Sequence, residues 1–204
     1  MFVKICGITR VPDAVHAAEQ GATAIGFVLW ARSPRAITVE RAAEIAAELP
    51  PHVMRVGVFV NEPVESIRSI AERAHLTAIQ LHGDEPPDYA AALDWPVFRA
   101  VSMADLNYAT EAWTSETALL VDNIDPVRRG GTGAVIDWSQ AAAVAQTRRV
   151  VLAGGLTVDN VASAIRAVRP FGVDVSSGVE AAPGVKDSQK VTEFIANARE
   201  AFRQ

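Results

Sequence analysis

The chain has 204 residues, half of them hydrophobic, which is enough to bury one large core, and its net charge of −5 offers no basic field to nucleic acid. One cysteine excludes an intrachain disulfide framework, and no apolar run approaches the ~20 residues a membrane helix needs. The opening Met-Phe-Val-Lys-Ile-Cys-Gly carries neither a basic stretch nor a long apolar one, so the expected setting is the cytoplasm and the expected partner a small molecule, with no membrane, nucleic acid or obligatory protein partner.

Taken in order, short β-branched runs alternate with alanine-rich amphipathic ones. The sequence predicts strands at Phe2 to Cys6, Ala24 to Leu29, Arg55 to Val60, Ala78 to Leu81, Val97 to Val101, Ala118 to Asp122, Val150 to Ala153 and Val173 to Ser176. Between them it predicts helices at Val11 to Gln20, Val39 to Glu48, Pro63 to Ala74, Pro86 to Leu93, Met103 to Ala112, Trp138 to Ala145, Val158 to Val168 and Ser188 to Phe202. Eight strand-helix units without a break in composition point to an α/β fold, a (β/α)8 barrel forming a single domain over residues 1–204. A doubly wound open sheet is the competing arrangement, because counting units does not prove closure.

In such a barrel the chemistry belongs at the C-terminal ends of the strands, and there this chain keeps its unusual residues. Strand one ends Lys4-Ile5-Cys6-Gly7, strand four runs into Gln80-Leu81-His82-Gly83, and strand six stops at Asp122. Apolar neighbours around Asp122 disfavour its ionisation and suit it to general-acid work, although an Asp ending a strand is also a common turn former. Cys6 reads either as a small apolar lining residue or as a base or nucleophile whose thiolate a nearby cation favours. Alternation puts Lys4 on the same face as Cys6, one layer deeper, where a buried ammonium needs a partner; Asp174 is the candidate, and the alternative is a Lys4 that faces the helices and snorkels outward.

Glycine-bearing loops follow the last three strands: Gly130-Gly131-Thr132-Gly133, Gly154-Gly155-Leu156-Thr157 and Ser176-Ser177-Gly178-Val179. Barrels commonly bind phosphate with backbone amides after strands seven and eight. Arg35, in Ser33-Pro34-Arg35 after strand two, is placed to reach a carboxylate over the mouth or to remain a solvated loop arginine, and His82 alone reads as structural. The His, Cys and carboxylate residues show no metal-ligand spacing, and no nucleotide fingerprint is present, so neither metal nor cofactor is expected.

The motifs Lys4-Ile5-Cys6-Gly7-Ile8-Thr9, Ser33-Pro34-Arg35, Gln80-Leu81-His82-Gly83-Asp84-Glu85, Gly130-Gly131-Thr132-Gly133, Ala153-Gly154-Gly155-Leu156 and Asp174-Val175-Ser176-Ser177-Gly178-Val179-Glu180 occur together and in order. From end to end the chain resembles the phosphoribosylanthranilate isomerases of tryptophan biosynthesis. The resemblance implies a cofactor-free Amadori rearrangement of N-(5-phosphoribosyl)anthranilate to 1-(2-carboxyphenylamino)-1-deoxyribulose 5-phosphate. It implies Asp122 as general acid, Cys6 as general base and Arg35 on the anthranilate carboxylate. By the same resemblance Gly131, Gly154, Gly155, Ser177 and Gly178 hold the phosphate, Gln80 and His82 line the sugar or ring region, and Asn160 supports the phosphate loops. Two other readings stand beside it: a different sugar-phosphate barrel enzyme, such as an epimerase or the synthase acting next in the same pathway, and a non-catalytic phosphate-binding barrel. Neither requires Cys6 and Asp122 together.

Overall fold

In a computed structural model, which describes residues 1–122 and 138–204, eight parallel strands pair with their neighbours in chain order and the last pairs with the first. They are β1 (Phe2–Cys6), β2 (Ala24–Val28), β3 (Met54–Phe59), β4 (Ala78–Leu81), β5 (Val97–Val101), β6 (Ala118–Val121), β7 (Val150–Leu152) and β8 (Gly172–Val175). The β1–β8 pairing, with Lys4 opposite Asp174, closes the barrel and excludes the open doubly wound sheet. Around it among the described residues run α1 (Val11–Gln20), α2 (Val39–Ala47), α3 (Val64–Arg73), α4 (Asp88–Ala92), α5 (Leu106–Ala112), α6 (Trp138–Ala145), α7 (Val161–Val168) and α8 (Ser188–Ala201). None of them is long and apolar enough to cross a membrane.

Helix starts and stops follow local chemistry. Pro12 stands in the first turn of α1, where its missing N–H costs nothing, and Gly21 ends the helix at φ 101°, which an L side chain rarely adopts. Thr38 and Asp187 accept backbone N–H bonds at the starts of α2 and α8. Four helices begin later than the sequence suggests, α3 by a single residue, at Val64. A proline disfavours helical backbone in the residue before it, and in the Pro86-Pro87 pair Pro87 is the cap and α4 starts at Asp88. The Ser102 and Asp105 side chains close a turn on each other before α5, and Asn160 folds back on its own loop before α7.

Two cores share the strands. Outward-facing residues such as Val3, Ile5, Ile25, Ile79, Leu119 and Val173 pack under the helices; α7 answers with Val161, Ala164, Ile165 and Val168, one helical face, each of its larger aliphatics contributing roughly 1.5–3 kcal/mol on burial. Inward-facing Phe2, Ala24, Val56, Ala78, Phe98, Ala118, Leu120 and Val151 fill the barrel itself. The same alternation carries Lys4 and Cys6 on β1, Gln80 and His82 from β4, Asp122 past β6, and Asp174 and Ser176 from β8 toward the mouth.

Candidate active site

Lys4 is fully buried inside the barrel, not snorkelled among the helices. Its ammonium donates to Asp174 Oδ2 at 2.9 Å and to Gln80 Oε1 at 2.8 Å, so the partner read from register is present and is joined by a second from the facing wall. Burial alone would weaken this ammonium, but Asp174 first, and then Cys6, more than offset that and lift its pKa above the ordinary value. Asp174 Oδ1 and Ser176 Oγ are buried on the same wall without a hydrogen-bond partner among the described residues.

Cys6 lies directly above Lys4. A side chain at Gly26 of β2 would meet Cys6 Sγ at 2.8 Å and Lys4 Cε at 2.9 Å, so only glycine leaves room for both on this wall. Burial pushes the Cys6 thiol up, Lys4 pulls against it, Asp174 adds to the rise, and Lys186 opposes it more weakly. The cation expected to favour thiolate is therefore in place, yet desolvation outweighs it and the net shift is upward, the reverse of the sequence expectation.

Arg35 does reach over the mouth, its stem lying across Gly7. Its guanidinium forks onto Glu180, with Nε to Oε1 at 2.8 Å and Nη2 to Oε2 at 2.7 Å, which strengthens its charge. Lys186 Nζ donates to the same carboxylate at 2.8 Å and to the Ser176 carbonyl at 3.1 Å. Burial works against ionisation of Glu180, but Arg35 and then Lys186 win and hold its carboxyl below the usual range; the Lys186 ammonium is lowered by its own burial despite Glu180. Both partners come from a small antiparallel ribbon, β9 (Glu180–Ala182) and β10 (Val185–Lys186), that folds back beside the loops of β1 and β2. Sequence reasoning gave neither residue a role. The Pro183-Gly184 pair between them was the available turn signal, but only the folded chain shows what the turn delivers.

The two anion-binding candidate loops that are described lie against each other. Gly154 and Gly155 both adopt positive φ, 72° and 69°. Asn160 accepts from Thr157 N at 2.8 Å and donates to the Gly155 carbonyl at 2.9 Å, pinning the loop after β7. Ser177 and Gly178 form a 3-10 turn, Ser177–Val179, after β8, and a Cβ on Gly178 would stand 1.9 Å from the Leu156 carbonyl, so the close approach of the loops requires glycine there. Gly130, Gly131 and Gly133 lie outside the described residues.

Across the mouth, Asp122 follows the last residue of β6 and is partly exposed. His82 Nε2 stands 3.8 Å from its Oδ2, and His82 Nδ1 is 2.9 Å from Gln80 Nε2. The sequence-derived residues Cys6, Gln80, His82 and Asp122 thus converge on one end of the barrel, with Arg35, Gly154, Gly155, Ser177 and Gly178 on loops at the same end. Among the described residues no group of three or more His, Cys, Asp and Glu side chains is placed to hold a metal ion.

Comparison with known proteins identifies the family. The family model for N-(5'phosphoribosyl)anthranilate (PRA) isomerase matches residues 3–197. The chain is similar to N-(5'-phosphoribosyl)anthranilate isomerases of Pelobacter propionicus (49% identical, 97% of this chain and 95% of that one) and Trichlorobacter lovleyi (50% identical, 98% of each). Among solved structures, phosphoribosyl anthranilate isomerase from Thermotoga maritima superposes with a TM-score of 0.90 at 45% identity, over 98% of this chain and 99% of that one. A phosphoribosyl anthranilate isomerase in complex with reduced 1-(o-carboxyphenylamino)-1-deoxyribulose 5-phosphate does so at 0.87 and 44%, with the same coverage.

Proposed function

The chain belongs to the N-(5'-phosphoribosyl)anthranilate isomerase family and isomerises that substrate in tryptophan biosynthesis, and from this premise we propose that Asp122 and Cys6 divide the reaction as acid and base. Asp122 gives a proton to the furanose ring oxygen. The C1–O bond breaks with its electrons going to that oxygen, and the anilino nitrogen lone pair forms the C1=N iminium. Cys6, as thiolate, takes the proton from C2, whose electrons flow toward the iminium nitrogen and leave a neutral enolamine. Loss of the C2 hydroxyl proton and gain of one at C1 complete the ketone, with no net change in substrate protons.

The observation that carries the division is the unlike surroundings of the two groups on separate strands of one mouth. Cys6 sits over the Lys4 ammonium, which stabilises the thiolate that must form, while Asp122 faces the His82 imidazole at 3.8 Å. Arg35 takes the anthranilate carboxylate on its second fork, Nη1 with the remaining Nη2 hydrogen, which Glu180 does not use. Gly154, Gly155, Ser177 and Gly178, with Gly131, cradle the phosphate, and Asn160 holds that cradle in shape. The reading needs no cofactor and puts the reaction in the cytoplasm with a free small-molecule substrate.

Cys6→Ala and Asp122→Asn are each expected to lower turnover by about 10²–10⁴-fold with little loss of substrate affinity. Near-normal turnover of either variant, followed by the fluorescence decay of freshly prepared substrate, removes that residue from the mechanism. Arg35→Ala is expected to raise KM; unchanged substrate binding detaches Arg35 from the carboxylate.

A further inference from the structure

Side chains from four strands and their ends form one line of polar contacts through the upper barrel: Asp174 to Lys4 at 2.9 Å, Lys4 to Gln80 at 2.8 Å, Gln80 to His82 Nδ1 at 2.9 Å, and His82 Nε2 to Asp122 at 3.8 Å. Its middle is buried, with Lys4 at 0% and Gln80 at 1% exposure. The direction of the hydrogens between Lys4 and His82 follows from Lys4 itself. An ammonium only donates, so the end of the Gln80 amide that faces Lys4 is its oxygen. The other end is then its NH2, which also only donates, so His82 Nδ1 must carry a lone pair and the proton of the neutral ring sits on Nε2, toward Asp122.

We propose that Gln80 is a positioning residue: anchored by Lys4, it holds His82 as the neutral Nε2–H tautomer, a hydrogen-bond donor toward Asp122 that does not take the proton Asp122 must deliver. The inference rests on Asp122 acting as the acid, as read above. The opposite tautomer sets a bare lone pair toward the acid and gives its proton a second destination. An imidazolium sets Nδ1–H against the Gln80 NH2, two donors facing each other. With the ring held neutral, the Nε2–H is poised for the carboxylate that develops as Asp122 gives up its proton, and the 3.8 Å separation shortens at that moment. Charged groups around the ring pull both ways. Asp174 on β8, behind Gln80, and Asp122 beside β6 once it is ionised favour a protonated ring, and Lys4 on β1 opposes it. The Gln80 amide decides the balance, and this differs from a role in gripping the sugar, since its oxygen and nitrogen are both engaged within the protein.

The test is nitrogen NMR on the full chain labelled at histidine nitrogens, without substrate, with His82→Gln identifying which signal belongs to His82. The expected wild-type pattern at neutral pH is an unprotonated Nδ1 and a protonated Nε2; an Nδ1–H ring or an imidazolium there overturns the proposal. In Gln80→Glu the carboxylate keeps the Lys4 contact but accepts from Nδ1–H, so the nitrogen pattern is expected to invert or become that of the imidazolium. Its kcat is expected to fall by about 10²-fold at nearly unchanged KM. An unaltered nitrogen pattern in that variant sinks the assignment to Gln80. If Gln80→Glu does not fold, the wild-type pattern still decides for or against. Because the spectra need no turnover, a failure of Asp122 as the acid is seen separately, as an active Asp122→Asn.

Discussion

The floor of the barrel and its mouth are built on the same strands with the same two-residue alternation, yet they are held together differently. At the floor, Phe2 stacks on Phe98 with ring centroids 5.3 Å apart and on Phe171 at 5.7 Å, among alanines and β-branched residues that ask nothing of each other except volume. One layer up, Lys4, Gln80 and Asp174 are as deeply buried but polar, and each depends on a named partner at 2.8–2.9 Å. The floor is stabilised by burial and dispersion. The mouth loses hydration of its charges and recovers it through Coulomb attraction and hydrogen bonds, a balance that adds little net stability. What the mouth gains is fixed directions for its protons and charges, which is what acid-base chemistry needs.

Breaking the two layers separates these roles. Lys4→Met is expected to have the largest effect: about 3–5 kcal/mol of stability, because Asp174 is left buried without its cation, and in the surviving folded protein a drop in turnover of about 10²-fold. Denaturant titration and steady-state kinetics measure the two; a variant that keeps both its stability and its rate contradicts the contrast. Phe98→Ala is expected to cost a similar 3–5 kcal/mol through the cavity it leaves, while the folded fraction turns over at the wild-type rate, so its total effect is smaller. A fall in kcat there, with the fold intact, means the floor shapes the chemistry as well.

Asn160→Ala sharpens the comparison at the rim. It removes both bonds that pin the loop after β7, for about 1 kcal/mol, and is expected to weaken inorganic phosphate as a competitive inhibitor without moving kcat. Unchanged phosphate inhibition disconnects that loop from the anion. The smallest effect is a titration. Since burial raises the Cys6 thiol and Lys4 restrains the rise, the thiolate absorbance of the wild type is expected to grow with a midpoint above the ordinary 9.0, and in Lys4→Met the midpoint moves further up. A midpoint below 9.0 reverses the sign argued for the site.

Much of this was legible before folding. Strand-helix alternation names the eight units because each element exposes its own hydrophobic period, and glycine at strand ends marks the loops. Register arithmetic paired Lys4 with Asp174, because closure sets β8 beside β1 and parity fixes the face. It did not find Gln80 as the second acceptor for Lys4, since β4 faces β1 across the interior and no ladder records that distance. Glu180 and Lys186 were missed for a related reason: each is an unremarkable charge until the ribbon folds over Arg35. The thiol of Cys6 went the other way from its sequence reading, because adjacency to a lysine can be read from spacing while the depth of burial cannot.

The amino-acid order by itself determined the eight strand-helix units and the identity of the groups at their strand ends, because periodicity and turn chemistry are local and repeat unit by unit. Closure came from the β1–β8 pairing. Only the closed structure decided which of those groups touch, which way their hydrogens point and how far each has left water. Those depend on distances between strands remote in the chain, and the energy of a buried charge changes steeply with such distances.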